Sequence, residues 1–144
     1  MLKGLGLLFL MILSFGQGAL AQTAQSIDPD DQQAVVRVIE QQLSAFRIDD
    51  GAKAFSFASP HIQSLFQTPE RFMAMVKSGY RAVYRPQVVE FLDGRQAGGR
   101  TAQAVRFIGP DGKAVIAIYE MEQQPDGTWR INGVQLVDTG EVGS

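Results

Sequence analysis

Two tyrosines and two arginines close the segment TPERFMAMVKSGYRAVYRP. Tyr80 and Tyr84 stand four residues apart, as do Arg81 and Arg85. On a helix each pair shares one face. Tyrosines there would give apolar walls with polar tips, and an arginine would orient a carboxylate or another anion. Pro86 disfavours helix at Arg85, so any such turn ends there. The plainer reading, which we prefer, is a connector whose rings enter the core and whose arginines pair with Glu90 or Asp93.

Other reactive side chains are sparse. His61 is the only histidine and the chain has no cysteine, so a conventional zinc site is not expected. His61 follows Ser59-Pro60 and reads as a partly exposed residue at a helix start. The run DPDD at 28–31 lacks the glycine and distal glutamate of a calcium loop, and helix capping explains its acids. Glu90, Asp93 and Glu120 are the carboxylates on expected strands. An isomerase would need one of them in a dry cavity beside a tyrosine. Tyr119 and Glu120 are strand neighbours and point to opposite faces. Asp93 precedes Gly94 and reads as a turn residue. No nucleophile motif or phosphate-binding glycine loop follows the leader, and no metal or cofactor is expected.

The elements that must position these residues fall in two blocks. Asp28 can cap a helix, with Pro29 in its first position and Asp30 and Asp31 at the positive end of its dipole. Val35, Ile39, Leu43 and Phe46 then step along one face, predicting a helix over 29–48 that ends at Gly51. A helical piece follows over 52–58, a turn or short helix from Ser59-Pro60 to Phe66, and a helix from Thr68-Pro69 to about Ser78. Gly79 would be its left-handed cap. After Pro86 the period becomes two. Strands are expected at 88–93, 101–108, 114–123 and 129–137, with tight turns at GPDGK and QPDGT and a looser connection over 93–100. Asn132-Gly133 reads as a bulge. The expectation is an α+β domain over 28–138, its N-terminal helices packed on a curved four-stranded antiparallel meander. Residues 22–27 and 139–144 read as flexible ends. Both faces of the third strand are largely apolar, which suggests a homodimer through the sheet.

The chain opens with Lys3, an apolar run from Leu5 to Phe15, and Ala19-Leu20-Ala21. That pattern is a secretory signal peptide, with cleavage expected after Ala21. The run is well short of the ~20 residues of a spanning helix. A periplasmic or secreted protein is therefore expected, free of the membrane once the leader is cut. Loss of Lys3 with the leader takes the formal charge from −2 to −3, which gives no general attraction to nucleic acid or to anionic membrane.

VIEQQLSAFRIDDGAKAFSFASP, the tyrosine-bearing segment above and DGTWRINGVQL together resemble a family of short exported bacterial proteins of unknown function. Their fold is similar to that of nuclear transport factor 2, an α+β cone in which helices close a curved sheet around a pocket. The resemblance spans nearly all of the chain after the leader. It implies a pocket but no particular reaction, since that wider group holds isomerases, dehydratases, translocation partners and plain ligand binders. The preferred reading is non-catalytic binding of a small apolar or amphipathic ligand. The expected lining is Phe46, Phe55, Phe72, Tyr80, Tyr84, Arg85, Tyr119 and Trp129. An isomerase- or dehydratase-like enzyme using the same pocket, and a module interacting through its sheet, stay open.

Overall fold

The computed structural model describes residues 24–142. The expected leader therefore lies outside the described residues. Helices come first: α1 Pro29–Arg47, α2 Gly51–Ser56, α3 Pro60–Phe66, α4 Pro69–Gly79 and the single turn α5 Arg81–Tyr84. Four longer strands follow: β2 Val88–Ala97, β3 Arg100–Ile108, β4 Lys113–Gln123 and β5 Trp129–Val142. A short β1, Gln25–Ser26, precedes the helices. All neighbours are antiparallel and the sheet order is β1-β2-β3-β4-β5.

Capping sets the helix starts as the sequence predicts. Asp28, Ser59 and Thr68 each accept a backbone N–H of the turn that follows, and a proline stands first in each of those helices. The apolar stripe of α1 is buried at Val35, Ile39, Leu43 and Phe46. It lies against one face of the sheet, where Val105, Phe107, Ala117, Tyr119 and Met121 share its core. The opposite face of β4 holds Ile116 and Ile118, both half-buried, opposite Arg106 and Ala104 on β3.

Five details differ from expectation. The sheet has five strands, because Gln25 and Ser26 pair with Gln96 and Arg95 and bury Ile27. Residues 25–27 are thus part of the domain. Their place is made by a bulge in β2 between Phe91 and Gly94. A side chain on Gly94 would strike Ile27 at 2.5 Å. Next, the connection over 93–100 is not loose. β2 runs to Ala97, and Gly98 and Gly99, at φ 56° and 78°, form a two-residue hairpin loop. Third, β5 continues to Val142, opposite Lys113, so the tail is strand through that residue. Fourth, Gly79 is not left-handed but the last residue of α4, and Tyr80 caps the helix at φ −132°. Fifth, α1 ends at Arg47, one residue short of the expected end. Asp49 takes the left-handed position at φ 54°, with Asp50 N–H on Ala45 O and Asp49 N–H on Phe46 O. This is the paired hydrogen bonding of a Schellman ending, here without glycine. The bulge expected at Asn132-Gly133 is present: Glu120 faces Gly133 and Met121 faces Ile131.

Candidate functional site

A pocket of about 360 Å³ opens between α1, α3, α4 and β5. Its size is that of a small-molecule site. Three elements give most of the wall. Gln42 and Phe46 come from α1, and Phe72, Met75 and Val76 come from α4. Ile131 and Val134 come from β5, with Tyr119 of β4 beside them. The rim is α3, which contributes Ile62, Leu65 and Phe66. No residue of α3 is buried, and Leu65 is 61% exposed.

The elements are placed by specific bonds. Segment 57–59 lies along the edge of β5, where Ile131 N–H donates to Phe57 O and Ser59 N–H donates to Ile131 O, each at 2.8 Å. The bulge turns Asn132 so that its Oδ1 accepts from Ser59 Oγ at 2.7 Å. Ser59 Oγ also caps α3. The start of α3 is therefore fixed to the sheet. Its end is held by a γ-turn at Gln67, at φ 70° and ψ −42°, with Thr68 N–H on Phe66 O. That conformation is strained for any residue with a side chain. Gln42 Nε2 donates to Ala54 O at 3.1 Å and so joins α1 to α2.

Four of the eight expected lining residues meet here: Phe46, Phe72, Tyr80 and Tyr119. Tyr80 donates its hydroxyl to Val134 O at 2.8 Å. The other four lie elsewhere. Phe55 sits behind Phe72, ring centroids 5.2 Å apart, as core. Trp129 is buried at the start of β5, where with Arg100 and Met121 it lines a separate polar groove. Tyr84 and Arg85 turn to the end of α1. The break at Tyr80 stops the helical stripe, so Tyr84 does not follow Tyr80 into the pocket. Arg85 pairs with Asp49 at 3.2 Å, not with Glu90 or Asp93. Asp93 instead meets Arg95 at 3.4 Å. His61 is exposed at the start of α3.

Residues missed from sequence had a signal. Ile62, Leu65 and Phe66 have helical spacing, and Gln42 stands three after Ile39 and four before Phe46. Gln42 was missed because it is polar.

None of the lining residues is Asp, Glu, His, Lys or Arg. Tyr119 has no exposed surface, and burial pushes its hydroxyl pKa up, so it stays protonated. Among the described residues its hydroxyl is the one buried side-chain polar atom without a hydrogen-bond partner. The arrangement can hold an apolar body and offers a neutral donor.

The fold and pocket define an α+β domain with helices over one face of an antiparallel sheet. The chain belongs to the family described as a domain of unknown function, DUF4864, whose model matches residues 28–143. No curated protein and no solved structure matches the chain.

Proposed function

We propose that this is an exported binding protein of the nuclear transport factor 2-like kind, holding a small apolar or amphipathic molecule between its helices and sheet. One observation carries the reading: a pocket of about 360 Å³ walled by Phe46, Phe72, Val76 and Ile131, with no carboxylate, histidine, lysine or arginine in its lining. Burying a charged ligand there would leave it without a counter-charge, which is costly. An apolar body gains about 25 cal/mol for each Å² it removes from water. The isomerase or dehydratase reading needs a carboxylate beside a tyrosine inside the pocket. Tyr80 and Tyr119 are there, but no carboxylate lines it. The leader-like start of the chain supports export and a periplasmic or secreted location.

The test is native mass spectrometry of protein expressed from the full chain with its own leader. The proposal predicts release from the cytoplasm, loss of residues 1–21, and a co-purified or added apolar molecule retained at one per chain. Protein that keeps its leader inside the cell contradicts export. Protein that retains no apolar molecule at any concentration contradicts binding. The same spectrum counts subunits. It thereby tests the homodimer suggested by Ile116, Ile118 and the exposed Val137 on the outer sheet face.

A further inference from the structure

We infer that the pocket's ligand is a neutral, largely apolar molecule carrying one hydrogen-bond acceptor, and that this acceptor docks on the Tyr119 hydroxyl. The inference rests on the binding reading above and adds the chemical class.

The Tyr119 hydroxyl has no partner, and its cross-strand neighbours are already committed. Across the strands, Tyr119 faces Gln103 on β3 and Val134 on β5. The Gln103 amide donates to Leu92 O and Ala104 O, and its oxygen accepts from Gln32. The Val134 carbonyl accepts from Tyr80. Gln42 Nε2 is bound to Ala54 O. A buried hydroxyl is normally paired, and one left alone calls for an explanation. Water is a poor one. An ordered internal water needs two to four polar partners, and beyond Tyr119 the only polar side chains in this mostly apolar wall are Gln42 and Tyr80, the latter already donating to Val134 O. An acceptor delivered on an apolar frame needs only the one donor.

The same geometry selects within acceptors. A ketone, ester, ether or aldehyde oxygen suits a protonated tyrosine. A carboxylate does not, since no lysine or arginine lines the pocket. At the ~30 Å³ a water occupies in the liquid, the cavity holds about twelve waters. It therefore takes a ligand of comparable bulk, near that of a substituted naphthalene. Tyr119 is fully enclosed, so the ligand must move a wall side chain to reach it. Met75, unbranched and half-buried, is the most adaptable of the wall.

Three matched probes test this on protein purified from full-chain expression: 2-acetylnaphthalene, 2-ethylnaphthalene and 2-naphthoate. Affinities and locations come from amide chemical-shift titrations. The ketone should bind about tenfold tighter than the hydrocarbon, as one net hydrogen bond allows, and 2-naphthoate should bind weakest. Tyr119→Phe should bring the ketone to the hydrocarbon's affinity and leave the hydrocarbon within about twofold. A second readout needs no variant: the bound ketone's carbonyl stretch should move to lower wavenumber. Equal affinity of ketone and hydrocarbon, a ketone preference that survives Tyr119→Phe, an unshifted stretch, or tightest binding by 2-naphthoate would each overturn the inference while leaving a binding pocket. If none of the three perturbs residues around Phe46, Phe72 and Ile131, the binding reading falls and takes the inference with it.

Discussion

Asp49 and Gln67 are the two described non-glycine residues at positive φ, and each follows a helix. Their surroundings differ. Asp49 closes α1 and its carboxylate is tied by two side chains. Tyr84 donates its hydroxyl to the Asp49 carboxylate, and Arg85 pairs with the same carboxylate at 3.2 Å. Arg85 also donates to Phe46 O at 2.6 Å, and its guanidinium lies 4.0 Å from the Tyr84 ring centroid. The left-handed residue thus becomes a fixed corner, and the carbonyls of Ala45 and Phe46 at the end of α1 are satisfied. Gln67 has one exposed side-chain contact, from Arg71, and borders a helix with no buried residue. Strain is held firmly where the fold needs a corner and lightly where the chain rims the pocket. Regions of low local packing are those that open most readily. The contrast therefore assigns the mouth of the pocket to α3.

The largest effect comes from removing what joins the two regions. The Phe72 ring meets Phe46, Phe55 and Phe66, so it spans from the corner to the rim. Phe72→Ala should cost about 3–5 kcal/mol in denaturant unfolding, the range for a buried ring.

One substitution made at both corners sharpens the comparison by sign. Gln67→Gly relieves a strained φ and loses little, so a gain of roughly 0.5–1 kcal/mol is expected after the entropy cost of glycine. Asp49→Gly relieves the same kind of strain but removes the clamp, and should lower the melting temperature. Matching signs at the two sites would end the distinction.

Acidity probes the clamp alone. The Tyr84 hydrogen bond, helped by the nearby Arg85 and Lys77 charges, holds the Asp49 carboxyl below its ordinary 3.8. A depressed value contributes stability that is present above pH 3.8 and lost as pH falls through the folded value. The bond to Asp49 also raises Tyr84 above its ordinary 10.0. That contribution is present below pH 10.0 and lost as pH rises through the folded value. Wild type should therefore exceed Asp49→Asn in stability across neutral pH, with the gap closing at both extremes. A gap independent of pH would exclude the ionic clamp.

The smallest stability effect is expected at the rim. Leu65→Ser should change unfolding by less than about 0.5 kcal/mol, yet weaken binding of 2-ethylnaphthalene, because Leu65 lines the entrance.

What was readable from sequence was local chemistry. Asp28-Pro29, Ser59-Pro60 and Thr68-Pro69 mark helix starts without reference to the rest of the fold, and the two PDG turns mark hairpins. What was not readable depended on distant partners. β1 has two polar residues and exists only because Gly94 leaves room for Ile27. Asp49 and Gln67 take conformations usually left to glycine, so Gly51 and Gly79 drew attention instead. Within the site, Phe46 and Phe72 follow from helical periodicity. Tyr84 and Arg85 were misplaced because one backbone break at Tyr80 redirects everything after it.

The central claim is that an apolar space lies between α1, α4 and β5. A crystal structure under xenon pressure tests it directly, since dry apolar cavities take up xenon. The account predicts xenon bounded by Phe46, Phe72 and Ile131. Those side chains closing on one another, with no xenon between helices and sheet, would contradict it.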